Sequence, residues 1–173
     1  TVDGGQALDI TAAGGDVVLG VVGGGIDVAS VDITANTIDL QAVTSTGAQD
    51  YTGDTTLNGT LTVSVAGSGV TVNGATALSA GGGTITLTGS DAANDVTMDG
   101  VTGAQSFTIT AGGGDISFSG NIANFGTPVT DVDFTANTIS LQDVWSNSDQ
   151  IYTGDTTLNT STCFANGGII QFN

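Results

Sequence analysis

The sequence contains no lysine, arginine, histidine or glutamate; its charged side chains are 17 aspartates, and the formal net charge at neutral pH is −17. A chain without a cation cannot neutralise phosphates, so nucleic acid, heparin-like polymers and anionic lipid surfaces are poor partners for it. Salt bridges between its own side chains are excluded. The available counter-charges are a metal cation or a basic partner. A serine or cysteine nucleophile would lack its usual base, and zinc sites, which need histidine or several cysteines, cannot be assembled. The one cysteine, Cys163, forms no internal disulfide and reads as a small buried side chain. There is one proline, Pro128. No run approaches the ~20 apolar residues that span a bilayer as a helix. The opening stretch TVDGGQALDI has no basic region followed by an apolar one, so no signal peptide is read here.

What is present is glycine, 28 residues in 173, together with threonine, alanine, valine and asparagine. Such a mixture resembles a linker, yet isoleucine, valine, leucine and phenylalanine alternate with small polar residues throughout, as in ALDIT, TLTVSV, TITLTG and SFTIT. Alternation puts the apolar residues on one face of a strand and the polar ones on the other. Glycine clusters at 23–25, 81–83 and 112–114 mark turns. No window carries a helical period, so almost no helix is expected.

The chain repeats itself. Residues 132–159 match 31–58 at a constant offset, with 20 of 28 residues identical. A shorter period is nested inside: LDITAAGGDVVL at 8–19 is followed by VDITANTIDL at 31–40, and SAGGGTITL at 79–87 returns as TAGGGDISF at 110–118. Units of about 23 to 31 residues, each burying one apolar row, are the signature of stacked coils. The fold class expected is all-β: a parallel β-helix, or β-solenoid, of about seven coils, right-handed, spanning residues 1–173 as a single domain with an internal duplication. A β-sandwich of two similar halves is the alternative; it leaves the nested period unexplained.

The TGAQ motif at 46–49 and 102–105, with YTGDTTLNG and ITAGGGDI, resembles the repeat regions of large secreted bacterial surface proteins, namely filamentous-haemagglutinin-like exoproteins and autotransporter passengers. That resemblance implies a right-handed β-helix displayed outside the cell.

Several residues are candidates for a site. Asp131 with Asp133, and Asp91, Asp95 and Asp99, are the carboxylate groupings a polysaccharide-cleaving β-helix would use, though a solvated face explains them as well. Calcium prefers oxygen ligands, and SDAANDVTMDG gathers Asp91, Asn94, Asp95 and Asp99 in one turn region, the best Ca²⁺ candidate; no other cofactor is expected. Asn58 and Asn159 head glycosylation sequons at matching places of the duplication, as repetition alone would produce. Trp145 stands where the first copy has Thr44, as a packing or surface-contact residue. At the extremities, Val2 and Leu8 on one side and Ile169, Ile170 and Phe172 on the other are expected to line uncapped terminal coils, which would pair end to end. The leading functional expectation is therefore an extracellular structural protein: a segment of a filament, matrix or stalk. An adhesin segment binding glycans or a host protein is second, and a polysaccharide-active enzyme third.

Overall fold

Alternating Thr-Ile-Thr-Leu patterns cannot bury their apolar face within one strand, so each strand must lie against equivalents above and below. In the computed structural model, which describes every residue except Ser161, they do so as a parallel β-solenoid of about eight coils with no helix among the described residues. Every pairing between its strands is parallel.

Three columns of inward side chains make up the walls. The first stacks Leu8, Val31, Gln49, Val70, Val96, Ile116, Ile139 and Thr156. The second stacks Val17, Ile38, Thr55, Thr76, Val101, Ile122, Val144 and Cys163. The third stacks Val2, Val22, Val43, Leu61, Ile85, Ile109, Phe134, Tyr152 and Phe172. Together they fill one continuous apolar core. An aromatic group forms towards its C-terminal half: Phe107 meets Phe134 edge-on at 5.2 Å, and Phe118 stacks on Phe134 at 5.7 Å. Each such fully buried side chain contributes roughly 1.5–3 kcal/mol.

The expected seven coils become about eight because coil length is uneven. Only 18 residues separate Val31 from Gln49, whereas 26 separate Val70 from Val96.

The duplicated segments do not lie over one another. Ile33 and Tyr51 of the first copy belong to the first wall, and Val43 to the third. Their counterparts Phe134 and Tyr152 lie in the third wall, and Val144 in the second. The copied module is thus turned about the rod axis by one wall, and top and bottom are not matched by simple translation of a repeated coil.

Its corners are built alike. Gly53 and Gly154, the glycines of the two YTGD motifs, hold φ of +140° and +139°, and a Cβ on either would lie 2.2 Å from the carbonyl oxygen of Ala35 or Ala136 one coil away. Only glycine reaches this φ and tolerates that approach.

Inside the corner beside each copy lies a polar cluster. The Gln49 amide donates to Ser45 Oγ at 3.0 Å and to the Thr62 carbonyl at 2.8 Å, while Tyr51 donates to Gln49 Oε1 at 3.0 Å. The second copy repeats this with Gln150, Ser146, the Phe164 carbonyl and Tyr152. Burial, with a smaller push from Asp50, raises the Tyr51 phenol far above its ordinary pKa; burial and then Cys163 do the same for Tyr152. Both tyrosines are therefore neutral donors.

Candidate functional site

The aspartates have a structural use that explains why a solenoid so rich in carboxylates holds together. Parallel coils lie about 4.8 Å apart, and a short side chain reaches one coil away. Asp95 accepts the Asp115 N–H at 2.9 Å, Asp149 the Ile169 N–H at 2.9 Å, and Asp54 the Ala75 N–H at 3.2 Å. Asp115 in turn accepts from Thr138 N–H at 3.1 Å and Asn137 at 3.2 Å; hydrogen bonds from the Thr138 and Asn137 side chains hold its carboxyl below the ordinary carboxylate range.

The residues singled out for Ca²⁺ fall into this scheme. Asn94 is fully buried: its Oδ1 accepts the Gly67 N–H at 2.8 Å and its amide donates to the Thr88 carbonyl at 3.1 Å. Asp99 accepts from Gly74 N–H and the Ser119 hydroxyl, and Asp91 from Ala93 N–H. Each of these residues, Asp95 included, is thus joined to a different partner. No group of three or more acidic, cysteine or histidine side chains sits at metal-binding spacing among the described residues. Of the candidate catalytic pair, Asp131 accepts from Ser106 at 2.9 Å, and Asp133 points outward from its strand. Asn58 of the first sequon is held in a ladder, donating to Asp39 and accepting from Ser79. Asn159 donates to Ser140 at 2.8 Å, and Ser161 of its sequon lies outside the described residues.

The residues expected at the extremities occupy the two outermost coils. Strand Leu8–Leu19 pairs on one side only, with Val31–Leu40. Strand Ile170–Phe172 pairs on one side only, with Gln150–Leu158. Val2 and Leu8 belong to the first coil, the former exposed and the latter half-buried; Ile169, Ile170 and Phe172 are exposed on the last. Phe172 stacks on Tyr152 at 5.2 Å yet keeps 51% of its surface in solvent.

A further feature lies on the outer wall. Trp145 is the middle residue of Val144–Ser146, whose neighbours point inward, so its indole points out. Directly paired with it on the next coil is Phe164. The two rings are 5.3 Å apart at 40°, and Phe125, from the loop 123–128, meets Trp145 edge-on at 5.7 Å. These rings, with Pro128, Asn147 and Asn166, line a groove of about 270 Å³. Trp145, read from sequence as a packing or contact residue, does both: it packs on the core and floors the groove. Phe125, Phe164, Asn147 and Asn166 were not legible as companions. Phe164 lies beyond the duplicated span, and only the coil register brings it beside Trp145.

Fold and site together define a parallel β-solenoid of repeats. No family model, curated protein or solved structure matches the chain.

Proposed function

We propose that this chain is a structural segment of an extracellular rod, a filament, matrix element or surface stalk of the bacterial exported type, in which coils go on stacking end to end. The observation that carries the reading is the condition of the outermost coils. Each presents a row of strand N–H and C=O groups with a partner on one side only, next to exposed apolar side chains, which is a template for a further coil in the same register. That coil can come from adjoining polypeptide or from a second copy. An extracellular setting accords with the motif resemblance, and with a sequence that offers trypsin-like proteases no lysine or arginine to cleave.

The test is sedimentation velocity and negative-stain electron microscopy of the purified chain across a concentration series. Rods that lengthen with concentration, and that Ile170→Lys with Phe172→Lys abolishes while leaving the circular dichroism unchanged, are expected. Short monodisperse particles at every concentration would refute end-to-end assembly.

A further inference from the structure

The geometry points to a binding site for neutral glycans on the side wall of the rod, with Phe125, Trp145 and Phe164 as its stacking surface and Asn147 and Asn166 as its hydrogen-bonding edge. This goes beyond the assembly reading: the rings lie on the outer face of the wall, Trp145 on a strand whose flanking residues point inward and Phe164 on the last coil of that wall.

The first support is internal to the molecule. The first copy of the module builds the same register with Thr44 paired to Thr62, where the second pairs Trp145 with Phe164. The loop preceding the first copy, 23–27, is Gly-Gly-Gly-Ile-Asp, where the loop preceding the second copy is Ala-Asn-Phe-Gly-Thr-Pro at 123–128. A coil of this solenoid therefore needs no aromatic ring at any of the three places. Phe125 in particular is 76% exposed, so core packing does not account for it. The loop also aims it. Asn124 Oδ1 accepts the Gly126 and Thr127 N–H groups at 2.9 and 3.1 Å, and Ala123 is held at a φ of +63°, the only non-glycine residue with positive φ among those described. Side-chain capping of this kind fixes a turn tip.

The second support is chemical complementarity. Flat aromatic faces bind the apolar C–H faces of pyranose rings, while amides, which both donate and accept, match hydroxyl groups. Neither the Asn147 nor the Asn166 side-chain amide has a hydrogen-bond partner among the described residues, unlike Asn94, Asn58 and Asn159. None of the 17 aspartates lines the groove, so nothing there is placed to pair with a cationic ligand. The three rings touch one another instead of surrounding an empty centre, which is the arrangement of a platform and not of an ammonium cage. Anionic sugars are repelled by the net charge and find no cation. At about 270 Å³ the groove is smaller than the roughly 300–1,000 Å³ of most small-molecule pockets. It suits one sugar ring with the rest of the chain running along the open wall.

Trp145 is the only tryptophan, so its fluorescence reports on the groove directly. Titration with chitotetraose and cellotetraose, as neutral probes, is expected to give a saturable shift of Trp145 emission with at least one of them. Calorimetry is expected to show that affinity falls at least tenfold in Phe125→Ala and in Phe164→Thr, the latter carrying the residue that the first copy uses at that register. Circular dichroism and sedimentation of both variants should stay as in the unmodified chain, which separates loss of the site from loss of fold or assembly. The proposal is overturned if neither sugar binds at millimolar concentration, if choline or a basic peptide is bound in their place, or if the two variants bind as well as the original.

Discussion

Replacing Tyr51 by phenylalanine removes a single oxygen from the interior of the rod. That hydroxyl donates to Gln49 Oε1 at 3.0 Å, and Gln49 itself is fully buried, with its amide committed to Ser45 and the Thr62 carbonyl. No water reaches the carbonyl left behind, so the loss is that of the hydrogen bond together with the desolvation of an orphaned acceptor. A buried polar atom stranded in this way costs about 1–3 kcal/mol, more than the ~1 kcal/mol net value of an ordinary hydrogen bond. Ring packing is unchanged, so no cavity is added. Urea unfolding followed by far-ultraviolet circular dichroism should therefore show a lower midpoint with an unchanged slope. Tyr152→Phe removes the equivalent bond at a different corner, many coils away, and the double variant should lose the sum of the two within about 0.5 kcal/mol. A loss below about 0.5 kcal/mol for Tyr51→Phe would refute the claim that this cluster is tightly closed.

Thr76 Oγ1 is buried with no hydrogen-bond partner, so the isosteric Thr76→Val should raise stability by about 1 kcal/mol in the same assay; a loss would show that the hydroxyl is in fact satisfied. Gly53→Ala should cost well over ~1 kcal/mol through its φ and the Ala35 carbonyl, whereas Gly20→Ala, where nothing lies within 4 Å, should change stability by less than about 0.5 kcal/mol. Both interior tyrosines have folded pKa values raised above the unfolded value of ~10, so their contribution is whole below pH ~10 and is lost as pH rises above it. The melting temperature should accordingly drop between pH 10 and 11, less steeply in Tyr51→Phe/Tyr152→Phe, and parallel curves would contradict this. With the oxygens of Asp91, Asn94, Asp95 and Asp99 joined to separate partners, EDTA should leave the melting temperature unchanged; a fall would restore Ca²⁺ as a ligand there.

The solenoid was legible because its cause is local: alternation tells each strand which face to bury, and nested repeats tell it to stack. Coil count was less so, since the recurring segments 31–58 and 132–159 each hold more than one coil, with Val31 paired to Gln49 and Val132 to Gln150, so the repeat does not mark where a coil ends. The turning of the duplicated module by one wall was invisible for a related reason. Spacing in sequence counts residues, whereas position around the rod counts corners, and coils here take from 17 residues (Ile38 to Thr55) to 26 (Val70 to Val96) to go round. Glutamine is mostly a surface residue; the burial of Gln49 and Gln150 depends on a tyrosine two positions on and a serine four positions back, a pattern present in both copies and readable only once the corner is known. One of the three rings of the aromatic site was visible in the change from Thr44 to Trp145. The rest needed the register.

The exclusive use of aspartate follows from the same geometry. A carboxylate on a side chain of one methylene reaches the backbone N–H of the adjoining coil, as Asp3 does to Gly25 at 2.9 Å and Asp143 to Thr162 at 3.2 Å. Glutamate, one methylene longer and with more rotamer freedom to lose, would give the same bond at a higher entropic cost. Charge-assisted bonds of this kind also spread the negative charge onto backbone dipoles, which lowers the self-repulsion that a charge of −17 would otherwise impose on a narrow rod. Lysine or arginine could neutralise the same charge, but a long basic side chain would compete for the carboxylates against the N–H groups that link one coil to the next. The lack of cations and the stacking are on this view two sides of one solution: Asp3, Asp54, Asp95, Asp99, Asp115, Asp143 and Asp149 each accept from a backbone N–H of an adjoining coil, and every such pairing tightens the column.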